Sequence, residues 1–174
     1  MSTVSAESAI PIPARMASLE RFGNLAIPWI TARDDSGKPI FSGNIELRRI
    51  QAIREQLCSQ CGQKLEYWII FIGDDESVKR RIFFEPGMHQ ECAEYAAQTC
   101  PYLANPAYKQ PEHAKVERVS DRVMAPWGTR SLPMAEAGSW LYRTRGYKIL
   151  QEGPKVEVKA QPAVSLTATT AIGK

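Results

Sequence analysis

Apolar positions recur at helical spacing in one early stretch of the chain. Leu47, Ile50, Ile53 and Leu57 share one face of a helix over Asn44 to about Gln56, leaving Arg48, Arg49, Arg54 and Glu55 on the wet side. Asn44 is placed to cap that helix, and Glu46 suits the first turn, where the helix dipole favours negative charge. Upstream, Leu25 to Thr31 reads as a short strand that Pro28 confines to an edge or a bulge. Asp34-Asp35-Ser36-Gly37 reads as a turn. Leu65 to Gly73 has a different pattern. Tyr67, Trp68, Ile69, Ile70, Phe71 and Ile72 make both faces apolar, as expected of a strand covered on both sides. Asp74-Asp75-Glu76-Ser77 reads as a turn. Val78 to Glu85 then returns as a strand, with Val78, Arg80, Ile82 and Phe84 on one face and Lys79, Arg81 and Phe83 on the other, which predicts a hairpin. Pro86-Gly87 ends it, and Met88 to Thr99 reads as a helix stopped by Pro101.

The rest of the chain is less patterned. Residues 104–137 read as a long connection with little regular structure. Gly138 to Leu150 reads as one strand, in which Trp140, Tyr142 and Thr144 alternate with Leu141, Arg143 and Arg145, and Gly146 marks a bulge. Residues 1–17 are rich in Ser, Ala and Pro, and residues 151–174 in Ala, Thr, Val and Lys. Both are expected to be flexible, around a single α+β domain over 18–150.

Composition narrows the class. Apolar residues make up 44% and charged residues 24%, as in ordinary soluble proteins. No stretch approaches the roughly 20 apolar residues of a membrane span. Met1 to Arg15 lacks the basic start and apolar run of a secretory signal. The expectation is a reducing cytoplasm, where four cysteines favour metal binding over disulfides. Net charge is +3, and it is spread as zero over residues 1–44, +2 over 45–150 and +1 over 151–174, so charge alone names no partner.

The chemistry concentrates in Cys58-Ser-Gln-Cys61-Gly and His89-Gln-Glu-Cys92. Two cysteines three apart before a glycine suit a knuckle that turns both thiolates onto one ion. His89 and Cys92 fall in the first turn of a helix, on one face, at a terminus that favours thiolate over thiol. The 27 residues between the pairs exceed the common 15–20 or so, and the predicted hairpin accounts for most of the difference. Cys100 lies eight residues beyond Cys92, about 12 Å of helical rise, too far to share an ion whose sulfurs sit about 2.3 Å away. The expected cofactor is therefore one structural zinc on Cys58, Cys61, His89 and Cys92, in a treble-clef finger of knuckle, hairpin and helix. Four ligands close the shell, which argues against a catalytic zinc.

The order CxxCG, hairpin, HxxCA-x-YAA-x-x-CP and terminal aromatic strand resembles a group of small zinc-binding proteins encoded by bacteriophages and actinobacterial genomes. The matching stretches are Cys58 to Gly62, Glu85 to Pro101 and Trp140 to Tyr147. Ile10 to Arg15 (IPIPAR) and Pro28-Trp29 look like the group's N-terminus, and the likeness covers roughly residues 10–150. It implies a zinc-binding fold and a phage or prophage setting, and brings no activity with it. Treble clefs serve ribosomal proteins, ubiquitin-ligase fingers and HNH nucleases alike, so the class does not choose a function.

No catalytic role is expected. A nuclease would need a histidine base and a second metal site, yet of two histidines one is a zinc ligand and the other, His113, lies in a proline-flanked loop. No Walker loop, GxSxG or HExxH is present. Lys79, Arg80, Arg81, Arg143, Arg145, Lys148, Arg48 and Arg49 offer basic edges, with Trp68, Trp127 or Tyr142 for stacking, if their faces converge. The favoured expectation is a non-enzymatic binding or regulatory module with a protein partner and no membrane. Nucleic-acid binding is the alternative, and nuclease activity a distant one.

Overall fold

The structure, a computed structural model, describes residues 9–100, 103, 123–124 and 139–172. It is α+β, with few helices and several small antiparallel sheets. Two short strands, β1 (Arg21–Phe22) and β2 (Leu25–Ala26), form a ribbon. Strands β3 (Thr31–Arg33) and β4 (Pro39–Ile45) follow, and helix α1 (Glu46–Glu55) continues directly from β4. The turn at Asp34–Gly37 forms as expected: the Asp34 carboxylate accepts from the amides of Ser36 and Lys38.

Strand β5 (Ile69–Asp74) is the spine of the core. Its first five residues are buried, as the two-faced apolar pattern requires. It pairs with β8 (Ser139–Thr144), from Ile69↔Thr144 to Asp74↔Ser139, and β8 pairs in turn with β11 (Ser165–Ala168). A second sheet orders β6 (Ile82–Phe83), β10 (Lys155–Ala160) and β9 (Tyr147–Glu152). Aromatic rings join the two sheets. Phe71 stacks on Phe83 with ring centres 5.0 Å apart, Phe83 meets Tyr142 at 5.1 Å, and Phe71 meets the edge of Tyr147 at 5.6 Å. Each buried ring stabilises the fold by about 1.5–3 kcal/mol, and each such pair adds about 0.5–1.5 kcal/mol.

Several expectations are corrected. The hairpin does not form, because Asp75–Arg80 is a helix, α2. Asp74 caps it by accepting from the Ser77 amide at 2.8 Å. Asp75 and Glu76 stand in its first turn, Lys79 and Arg80 in its last, and Arg81 ends it in the left-handed conformation. Signals that read as a turn are those of a helix start. The return strand shrinks to β6, which pairs with β10 instead of β5. The strand expected over 138–150 is two strands, β8 and β9. They belong to different sheets, and the chain changes sheet at Arg145-Gly146.

The segment 151–174 is not a flexible tail through residue 172. β10 buries Val156, Val158 and Ala160, and Thr169 is buried beyond β11. At the other end, Ala14–Met16 forms a turn of 3-10 helix and Met16 is fully buried. Residues 1–8 lie outside the described residues, as does most of 104–137. Within the latter, Val123–Met124 forms strand β7 on β4. Asn44 is no helix cap; it sits in β4, and α1 begins after Ile45 without a side-chain cap. Leu47 is 66% exposed and Arg49 only 1%. The buried face of α1 is Arg49, Ala52 and Ile53, because Arg49 finds partners inside. Among the described residues no helix is long and apolar enough to cross a membrane.

Candidate metal centre

Cys58, Cys61, His89 and Cys92 converge in the core, and their ligand atoms all lie within 4.8 Å of one another. All four are buried, at 0, 7, 2 and 0% exposure. The loop Cys58–Gly62 brings in the first two. The Cys58 amide donates to the Gln63 carbonyl at 2.8 Å, and the Gly62 amide to the Cys58 carbonyl at 2.8 Å. Gly62 has a φ of +74°, and a Cβ there would lie 2.8 Å from the Trp29 ring, so both backbone and space demand glycine. The amides of Cys61 and Gln63 donate to the sulfurs of Cys58 and Cys61.

Helix α3 (Gln90–Thr99) brings in the other two ligands. His89 takes the N-cap position with extended backbone, and Cys92 stands in the first turn. The two halves are tied together. The Ser59 amide donates to the Gly87 carbonyl at 3.1 Å, while Met88 and Ile70 exchange both backbone hydrogen bonds. The segment Pro28–Ile30 braces the knuckle from outside, with the Trp29 amide on the Gln60 carbonyl at 2.8 Å and that of Ile30 on the Ser59 carbonyl at 3.2 Å. Arg48 reaches the Trp29 carbonyl and lies 5.3 Å from the centre of its ring.

The donor set fits one tetrahedral ion. His89 Nε2 donates to the Lys64 carbonyl at 2.9 Å, which leaves Nδ1 as the lone-pair nitrogen facing the sulfurs. His89 Nδ1 lies 3.4 Å from Cys61 Sγ. A zinc ion with bonds of about 2.3 Å to sulfur and 2.0–2.1 Å to nitrogen separates such a pair by about 3.6 Å. Without a metal, the crowded thiols strain one another electrostatically. Cys61 is held well below the ordinary thiol range because Cys58 and Cys92 donate to its sulfur. Burial and the Cys61 thiolate push Cys58 up to about 11. Cys92 is pushed up by Cys58 and Cys61 beside it, and by burial. A bound cation removes that conflict by giving all three sulfurs a common positive partner.

Arg15, inside the IPIPAR segment, closes the outer side. It pairs with Glu66 after the knuckle and with Glu91 in the first turn of α3, each at 2.5 Å, and its own carbonyl accepts from Gln63 at 3.2 Å. Periodicity gave no sign of this clasp. Cys100 stands apart at the C-cap of α3. The loop Cys58–Gly62 and the start of α3 carry the four residues, and α2 and β6 occupy the stretch where the sequence predicts a hairpin.

The basic residues separate into groups. Arg143 lies 4.2 Å from the centre of the Trp68 ring, and Arg145 lies 5.4 and 5.6 Å from those of Trp68 and Tyr67, which themselves meet edge to face at 4.8 Å. Lys79, Arg80 and Arg81 sit at the end of α2, where Arg80 faces Glu76 and its carbonyl accepts from Lys159. Lys148 is exposed on β9, and Arg49 is buried. His113 and Trp127 lie outside the described residues. No protein-family model, curated protein or solved structure matches the chain, so the geometry of the site carries its functional reading.

Proposed function

We propose that this chain is a zinc-stabilised, non-enzymatic binding module whose partner is a protein. The observation that supports it most is the closed, buried cluster of three thiols and one imidazole. Soft sulfur ligands with imidazole in tetrahedral array suit zinc among common metals. Four protein ligands leave no position for water or substrate, so the ion organises the fold rather than performing chemistry. It does so by fastening the knuckle to α3 across a stretch that contains no hairpin. The finger is thus treble-clef-like, with a helix in the hairpin's place. A phage or prophage setting rests on the sequence resemblance and belongs to the proposal.

The partner surface is the cluster of Tyr67, Trp68, Arg143 and Arg145. Tyr67 is 62% exposed and Arg145 is exposed beside it. Tyr, Trp and Arg carry most of the binding energy at protein interfaces. A net charge of +3 gives little general attraction for phosphate. The test is the double variant Tyr67→Ala/Arg145→Ala in a host-lysate pull-down beside gel shifts on generic DNA and RNA. The expected result is one protein retained by the parent chain and lost by the variant, with no shift at micromolar protein. A shift that weakens steeply with salt and with the variant would assign the surface to nucleic acid instead.

A further inference from the structure

Apart from the aromatic–arginine surface, the described residues line a partly open cavity of about 160 Å³ between the Leu25–Thr31 segment, β4 and α3, with Ser59 and Gln60 of the knuckle and Met88 beside His89 among its walls. Its walls are mainly apolar, with Leu25, Ile30, Phe41, Ile72, Ala96 and Leu103 among them. Glu85 and Asn44 interrupt them. Asn44 Nδ2 donates to both carboxylate oxygens of Glu85, at 2.8 and 2.9 Å. Among the described residues, one side-chain nitrogen serves an acceptor group with about four lone-pair sites. Among the described residues, the ionised groups that act on Glu85 are Arg49 and Glu46, and Arg49 donates to the Glu46 carboxylate through Nε and Nη2, each at 2.7 Å. Burial pushes the Glu85 carboxyl up to about 7. The cavity thus has an apolar body and a single acid whose charge lacks a dedicated cation among the described residues.

A dry apolar cavity of about 150 Å³ accommodates a benzene-sized molecule. A carboxylate withdrawn from water gains most from a charged donor. We propose that this cavity binds a small amphipathic cation: a protonated amine on an apolar body about the size of one aromatic ring. Its ammonium group donates to Glu85, and its body takes the place of water against Leu25, Ile30, Ile72 and Ala96. The inference goes beyond the proposed partner surface and does not depend on it.

Three probes with matched bodies test the proposal on the full, metal-bearing chain: 2-phenylethylamine, 2-phenylethanol and 3-phenylpropionate, titrated by calorimetry or ligand-observed magnetic resonance. At pH 8 the amine binds, the alcohol binds at least about tenfold more weakly, and the carboxylate does not bind. The amine stays protonated below its pKa of about 10, so its affinity rises as Glu85 ionises around pH 7 and levels off above about pH 8. Glu85→Gln lowers the amine's affinity about tenfold and leaves the bound metal unchanged. Equal binding of amine and alcohol, a flat pH profile, or no amine binding at millimolar concentration would overturn the proposal. The pH profile and the alcohol comparison use the parent chain and decide the matter even where Glu85→Gln fails to fold.

Discussion

Two polar centres are buried to nearly the same depth in this small protein, and they are satisfied in opposite ways. Arg49 is 1% exposed and brings or finds every partner within the chain. Glu46 takes two of its donors, the carbonyls of Phe84 and Val156 accept at 2.7 and 2.8 Å, and the Phe84 ring lies 3.9 Å away. The cysteine–histidine cluster brings together four ligand residues, and none of the four is a Lys or Arg that could neutralise three thiolates. A buried centre of one charge sign must either pair internally or import its counter-charge. Arg49 follows the first course, and we propose the second for the cysteines. The difference predicts that one centre depends on metal supply and the other on sequence alone.

The largest effect comes from removing the import. Structural zinc contributes roughly 10–16 kcal/mol in finger peptides, against a total stability of about 5–15 kcal/mol for a domain. A strong chelator, or Cys92→Ser, is expected to unfold the region around the knuckle and α3, seen as loss of near-ultraviolet circular dichroism. Cys100→Ser should be mild by comparison. Next is Arg49→Met, which leaves Glu46 and two carbonyls unpaired. A loss of about 3–5 kcal/mol is expected from the urea midpoint, with bound metal unchanged. Loss of metal in that variant would show that the two centres are not independent.

Glu85 is the intermediate case, a half-buried acid whose side-chain partner among the described residues is the neutral Asn44. Its folded pKa of about 7 lies above the usual 4.5, so its proton favours the folded state. That contribution is complete below about pH 4.5, falls as pH rises to about 7 and is gone above it, for at most about 3 kcal/mol. The parent chain should therefore lose stability between those values relative to Glu85→Gln, measured by thermal melts at matched pH. The smallest effect is expected at Gly62. Gly62→Ala forces a side chain into the left-handed region against Trp29, at a cost of about 2 kcal/mol in the urea midpoint with metal retained.

The cysteine–histidine cluster is legible because its code is local: two pairs at a spacing of three, one before a glycine and one opening a helix. Each pair fixes its own geometry, and folding has only to join them. The two-faced apolar run likewise announced β5, since burial on both sides leaves a plain pattern. Arg49 was not legible. Its partners are at residues 46, 84 and 156, and the last of these lies in a segment whose small and charged residues read as a tail. Strand β10 alternates Val156, Val158 and Ala160 inward, but a short strand of small residues resembles linker composition until a partner is known. Asp74 does not by itself separate a turn from a helix start, because aspartate begins both by the same hydrogen bond to a nearby amide. The Arg15 clasp and the Glu85–Asn44 pair join residues 41 to 76 positions apart, which periodicity does not register.

The central claim, that the cysteines import their counter-charge, is tested most directly by weighing the folded protein. Native mass spectrometry with elemental analysis, on protein purified without chelator, should find one zinc per chain, lost on acid denaturation and missing from Cys92→Ser. A metal-free parent chain that melts at the same temperature with and without added zinc would contradict it.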